Sequence, residues 1–153
     1  MLTGCAGRQV WETVNDPWVE VAAPCREVKL KLPAEAMTPV LQNPGAGQLY
    51  LCDGYTLAVQ TLNGGDLDAT MRQITGFSLD ALTCIQTACG EYEKYECVWS
   101  AAGEGSDQVG RAVVLDDGHY HYAVSVMADH VTAGTLTQAW QKLLGSVSLA
   151  DIG

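Results

Sequence analysis

Residues 109–128 read Val-Gly-Arg-Ala-Val-Val-Leu-Asp-Asp-Gly-His-Tyr-His-Tyr-Ala-Val-Ser-Val-Met-Ala. Two runs of strand-forming residues, Val109 to Asp116 and His119 to Ala128, meet at Asp117-Gly118. That pair suits a two-residue type I′ turn, because both central residues of such a turn need positive φ. The turn would set Leu115 opposite Tyr120 and Val113 opposite Tyr122. One face of the hairpin then carries Val109, Val113, Leu115, Tyr120, Tyr122, Val124 and Val126. The other carries Ala112, Val114, His119, His121, Ala123, Ser125 and Met127.

On the C-terminal side of this hairpin, after Thr132, the residues Leu136, Ala139, Trp140, Leu143, Leu144 and Val147 fall at helical spacing, and Gly145 marks the end. Such a helix must lie on the sheet. On the N-terminal side, Tyr92 to Ala101 sets Tyr95, Cys97 and Trp99 against Lys94, Glu96 and Ser100, a strand with one buried face. Ser78 to Thr87 fits a helix through Leu79, Leu82 and Ile85 and a strand through Thr83, Ile85 and Thr87; a turn followed by a strand from about Leu82 is preferred. Leu49–Cys52 and Tyr55–Leu62 form a second hairpin around Asp53-Gly54, again with a type I′ turn. Asn63-Gly64-Gly65 closes it, and Asp66 caps a short helix that buries Leu67, Met71 and Ile74 before Gly76 stops it. Glu27 to Leu32 alternates Val28, Leu30 and Leu32 with Lys29 and Lys31 and ends at Pro33; Pro39, Asn43, Pro44, Gly45 and Gly47 mark the loop that follows. The fold class is therefore α+β, an antiparallel sheet flanked by helices with the C-terminal helix packed on it.

With 153 residues, 48% of them hydrophobic, the chain is long enough for one core. Residues 6–17 read as a tether in which Trp11 alone could tuck back, and residues 18–150 as a single domain. A formal charge of −10 repels a phosphate backbone, which removes nucleic acid from the partners. No apolar run reaches the 18 residues or so that a membrane-crossing helix needs.

At the amino terminus, Leu2-Thr3-Gly4-Cys5 resembles the bacterial lipobox, in which the peptide bond before the cysteine is cut and the thiol receives a diacylglycerol. Lipidation at Cys5 places the domain on the outer face of a bacterial cell membrane, with the membrane as a partner only through that lipid. The charged and apolar stretch of a signal peptide is expected further upstream. Five other cysteines, at 25, 52, 84, 89 and 97, then remain, so at least one is free or pairs between molecules, and a reducing habitat follows from that. Their spacing leaves the pairing open. It does not make a zinc site either, since Cys84 and Cys89 have no second pair to match.

The order of elements resembles small lipoproteins of gut Firmicutes with a Mog1/PsbP-like fold. The sharpest part runs from Tyr95-Glu96-Cys97-Val98-Trp99 through Gly110-Arg111-Ala112-Val113-Val114-Leu115-Asp116-Asp117-Gly118-His119-Tyr120 to Trp140. In layout the resemblance covers about residues 25–150. It implies an antiparallel sheet sandwiched by helices and a role in binding other proteins. It carries over no catalytic residue, and function transfers weakly with a fold that serves many roles.

The residues with chemistry to offer are few. His119 and His121 lie on one side of their strand, with Asp116 the expected cross-strand neighbour of His119, a geometry that could present two imidazoles to a metal. The third ligand that zinc requires is missing, so no cofactor and no metal are expected. His130, beside Asp129, sits where strand gives way to helix. Cys97, between Tyr95 and Trp99, reads as an inert packing thiol, and Cys52 as the more accessible one; neither has a base at a readable spacing. Gly103-x-Gly105 precedes a strand and not a helix, so it does not form a phosphate loop. The expected function is that of a non-catalytic binding or accessory module on the cell surface. A small metal protein or enzyme using Asp116, His119 and His121 is the alternative.

Overall fold

The computed structural model describes residues 26–33, 41–43, 47–102 and 107–151. Cys5, the tether of residues 6–17 with Trp11, Cys25 and the glycines at 103 and 105 lie outside them. The strands are β1 (Arg26–Lys29), β2 (Leu41–Asn43), β3 (Gly47–Leu51) and β4 (Thr56–Asn63). The helix α1 (Leu67–Thr75) and a single 3₁₀ turn at Leu79–Ala81 lead to β5 (Thr83–Cys89), β6 (Tyr92–Ala101), β7 (Gln108–Asp116) and β8 (Tyr120–Asp129). The helices α2 (His130–Thr135) and α3 (Thr137–Gly145) and the strand β9 (Ser148–Asp151) complete the order. Seven strands form one antiparallel sheet in the order β2-β3-β4-β8-β7-β6-β5, and β1 pairs with β9 in a small separate sheet. The fold class is thus α+β, as the periodicities predict. Among the described residues the last strand pairs with the first, a contact that no local periodicity signals.

Each face of the large sheet has its own core. On one side Leu57, Val113, Leu115, Tyr122, Val124 and Val126 pack with Trp140, Leu143 and Leu144 of α3, and Val28 and Leu149 of the small sheet, with Leu30 just after β1, close the layer. On the other, Met71 of α1 packs with Cys97, Val114 and Ala123, flanked by Leu67, Ile74 and Leu79. The helix α1 forms where expected: the Asp66 carboxylate accepts from the Ala69 backbone N–H at 3.1 Å, and Gly76 ends it.

Three local expectations are corrected. The two hairpin turns are not type I′, since no residue other than glycine has positive φ among those described; Gly54 has φ 84° and Gly118 φ 91°. At the second turn the central pair is Gly118-His119, with Asp117 N–H weakly donating to Tyr120 O at 3.4 Å. This places glycine at the first central position, where a type II′ turn needs it. The pairing moves accordingly, to Leu115 with Tyr122 and Val113 with Val124. A slip of two residues keeps every side chain on its face, so the predicted apolar faces survive the wrong register. The C-terminal helix, finally, begins at His130 under an Asp129 cap and breaks at Leu136, and Ala139 is exposed and not on the buried stripe.

Gly110 lies directly across from Trp99, and a Cβ added there would clash with the indole ring. Trp99 is itself buried, so the ring has little room to yield. Gly110→Ala is expected to destabilise the fold by about 1–3 kcal/mol, the usual range for overpacking a filled site. A urea melt checks this; an unchanged midpoint would show that the indole can swing away.

Candidate functional site

The tip of the β7–β8 hairpin and the helix above it bring together two of the three buried polar residues among those described, Thr70 and His121. The pairing sets Asp116 opposite His121 and not opposite His119. His121 points into the α1 side of the sheet and is 1% exposed. Its Nε2 lies 3.3 Å from Asp116 Oδ2, and its Nδ1 lies 2.6 Å from the hydroxyl of Thr70, which is 2% exposed. The tautomer of the ring sets which partner donates in the Thr70–His121 hydrogen bond. Asp116 also accepts the Gly118 N–H, at 2.8 Å.

Hydroxyl, imidazole and carboxylate in a row are the components of a nucleophile-activating triad. Here the hydroxyl and the ring are both closed off, and a substrate cannot reach a nucleophile that is 2% exposed. What the row does is tie α1 to the sheet through the buried Thr70–His121 hydrogen bond, a pairing of the kind that makes buried polar groups tolerable.

Of the sequence candidates, then, the structure brings Asp116 and His121 together and leaves His119 exposed in the turn. His130 is exposed as the first residue of α2. No group of three or more His, Cys, Asp or Glu side chains placed to hold a metal occurs among the described residues.

Two residues in this region escaped the sequence reading. Thr70 gave no signal, because nothing in a helix sequence shows which threonine meets a histidine 51 positions away. Asp117 was read only as half of a turn. Its Oδ1 accepts from the N–H groups of His119 at 2.9 Å and Tyr120 at 2.8 Å, and its Oδ2 accepts from the buried Tyr122 hydroxyl at 2.8 Å. Burial pushes the Asp117 carboxyl up, but the Tyr120 and His119 N–H groups and the Tyr122 hydroxyl outweigh it and hold the group below its ordinary range. Tyr122 moves the other way, its phenol raised by burial and by the hydrogen bond to Asp117. Asp117 is thus an Asx-type turn residue that also anchors a core tyrosine.

The cysteines require a second correction. Cys97 is not an inert thiol: it is disulfide-bonded to Cys84, its direct cross-strand partner, with the two Cα atoms 4.2 Å apart. The bond sits under α1, with Cys97 Sγ 3.8 Å from the Met71 sulfur. Directly opposed residues at non-hydrogen-bonded positions of an antiparallel pair lie about 4.5 Å apart, which brings two such cysteines within bonding reach.

No family model matches the chain, and no curated protein matches it by sequence. Solved structures do. LpqN of Mycobacterium tuberculosis, involved in cell envelope biogenesis, is similar with a TM-score of 0.53 at 14% identity, covering 94% of this chain and 92% of its own. The Ran-binding protein Mog1p of Saccharomyces cerevisiae is similar with a TM-score of 0.54 at 10% identity, covering 81% of this chain and 90% of its own. Identities this low speak to architecture and not to activity. The seven-stranded antiparallel sheet between α1 on one face and α3 with the β1–β9 pair on the other is accordingly a Mog1/PsbP-like fold.

Proposed function

We propose that the chain is an exported accessory domain of the bacterial cell envelope, held to the outer face of the membrane by a lipid on Cys5 and acting by binding, without catalysis of its own. The observation that carries this is the Cys84–Cys97 disulfide. Structural disulfides persist in oxidising compartments and are rare in a reducing cytosol. The bond also argues against the reducing habitat read from the cysteine count. The fold likeness to LpqN, a protein of cell envelope biogenesis, points the same way. Among the described residues no helix is long and apolar enough to cross a membrane, which is compatible with attachment by lipid. The alternative, a metal protein or enzyme built on Asp116, His119 and His121, is not favoured, because His121 and Thr70 spend their polar atoms on each other and on Asp116 while His119 stands apart.

The test is fractionation of cells that express the chain behind an export leader. The wild type is expected in the membrane fraction, its amino-terminal peptide heavier by a diacylglycerol, and Cys5→Ser in the medium. Wild-type protein that is unanchored, with an unmodified Cys5 peptide, would reject the anchor.

A further inference from the structure

The helix α3 leaves part of its sheet face uncovered. Towards the β5 edge that face carries two cross-strand rows, Ile85–Glu96–Val113 and Val98–Arg111. With the Leu144 end of α3 as a wall, they line a cavity of about 360 Å³. Small-molecule sites run from roughly 300 to 1,000 Å³, so the space is adequate for a ligand of modest size. Its floor is apolar, with Val113 buried while Ile85 and Val98 remain 62% and 44% exposed.

The guanidinium in this cavity differs from the other described arginines. Among the described residues Arg26 and Arg72 are each paired with carboxylates, Arg26 with Glu91 and Asp151 and Arg72 with Asp68. Arg111 is half-buried in the middle of β7 and forms no ion pair with a described residue, although the chain carries a net charge of −10. Glu96 sits one row away on the neighbouring strand, exposed, and does not pair with it. A guanidinium at the edge of an apolar floor is a strong site for a carboxylate, through charge-assisted hydrogen bonds. Glu96 at the rim opposes a second negative charge on the ligand.

We propose that this cavity binds a small amphipathic monocarboxylate, with the acid group on the Arg111 guanidinium and the apolar chain lying along Ile85, Val98 and Val113. The proposal goes beyond the envelope reading and does not depend on it: the site can be present whether or not Cys5 is lipidated, and failure of either leaves the other standing.

Calorimetric titration of the purified chain with octanoate, octanol and octylammonium tests it. Octanoate is expected to bind saturably at one site, more tightly than either of the other two. Arg111→Gln, with its melting curve unchanged, is expected to weaken octanoate binding roughly tenfold or more, the effect of losing a charged hydrogen-bond partner. Val98→Asp, at an exposed position that tolerates a polar side chain, is expected to weaken it as well, and carries the test should Arg111→Gln fail to fold. Octanol or octylammonium binding as tightly as octanoate, full octanoate affinity in a folded Arg111→Gln or, should that variant not fold, in Val98→Asp, or no saturation below about 10 mM would each overturn the proposal.

Discussion

Trp140→Ala is expected to destabilise the protein by about 3–5 kcal/mol, the range for emptying a large aromatic site. Trp140 is 1% exposed and is the largest fully buried side chain among the described residues. It joins Leu143 and Leu144 in docking α3 on the sheet, and its ring meets Tyr55 edge-on with centroids 5.9 Å apart. Domains of this kind are held by roughly 5–15 kcal/mol in all, so the loss would be a large fraction of the total. Denaturant melts should show a much lower midpoint with a similar slope. Trp140→Phe should cost much less. The phenyl ring keeps most of the packing, and the indole N–H that it removes is buried with no hydrogen-bond acceptor among the described residues. A midpoint shift for Trp140→Ala equivalent to less than about 1 kcal/mol would mean that the helix is not docked this way.

Reducing the Cys84–Cys97 bond is expected to remove about 3 kcal/mol, the value for a closed loop of around 15 residues. The two cysteines are 13 positions apart, and the loop they close is the β5–β6 hairpin. The effect comes mainly from the freer unfolded chain, because the β5–β6 ladder still holds both strands when the bond is open. Melts with and without a thiol reductant check this, alongside the Cys84→Ala/Cys97→Ala double variant, which should match the reduced wild type to within the small cost of repacking beside Met71. Equal midpoints in oxidised and reduced protein would show that the bond does not hold the fold. The support it lends to an exported location would then rest on its formation in the cell alone.

Strand and helix positions were legible because they are written in periodicity. Tyr95, Cys97 and Trp99 at every second position, and Trp140, Leu143 and Leu144 at helical spacing, each specify an element and its buried face without reference to the rest of the chain. Contacts between elements were legible only in outline. Ala139 matches the helical stripe by spacing, yet it lies at the edge of the face set by Trp140, Leu143 and Leu144 and is exposed. The position of the cavity beside Arg111 depends on how far α3 reaches across the sheet, which no spacing within either element records.

By itself, the sequence determined the α+β class and most of the elements with their buried faces, since alternation and capping are local properties of neighbouring residues, while the short strands β2 and β9 carry too few residues to show a period. Tertiary structure alone decided three further things: that Asp116 meets His121 instead of His119, that Thr70 closes the same row, and that Cys84 and Cys97 are bonded. Each depends on strand register or on helix placement. A two-residue slip of a strand leaves its hydrophobic pattern untouched while changing every cross-strand partner, so a pattern of apolar residues cannot distinguish the two registers, and only the packed sheet does.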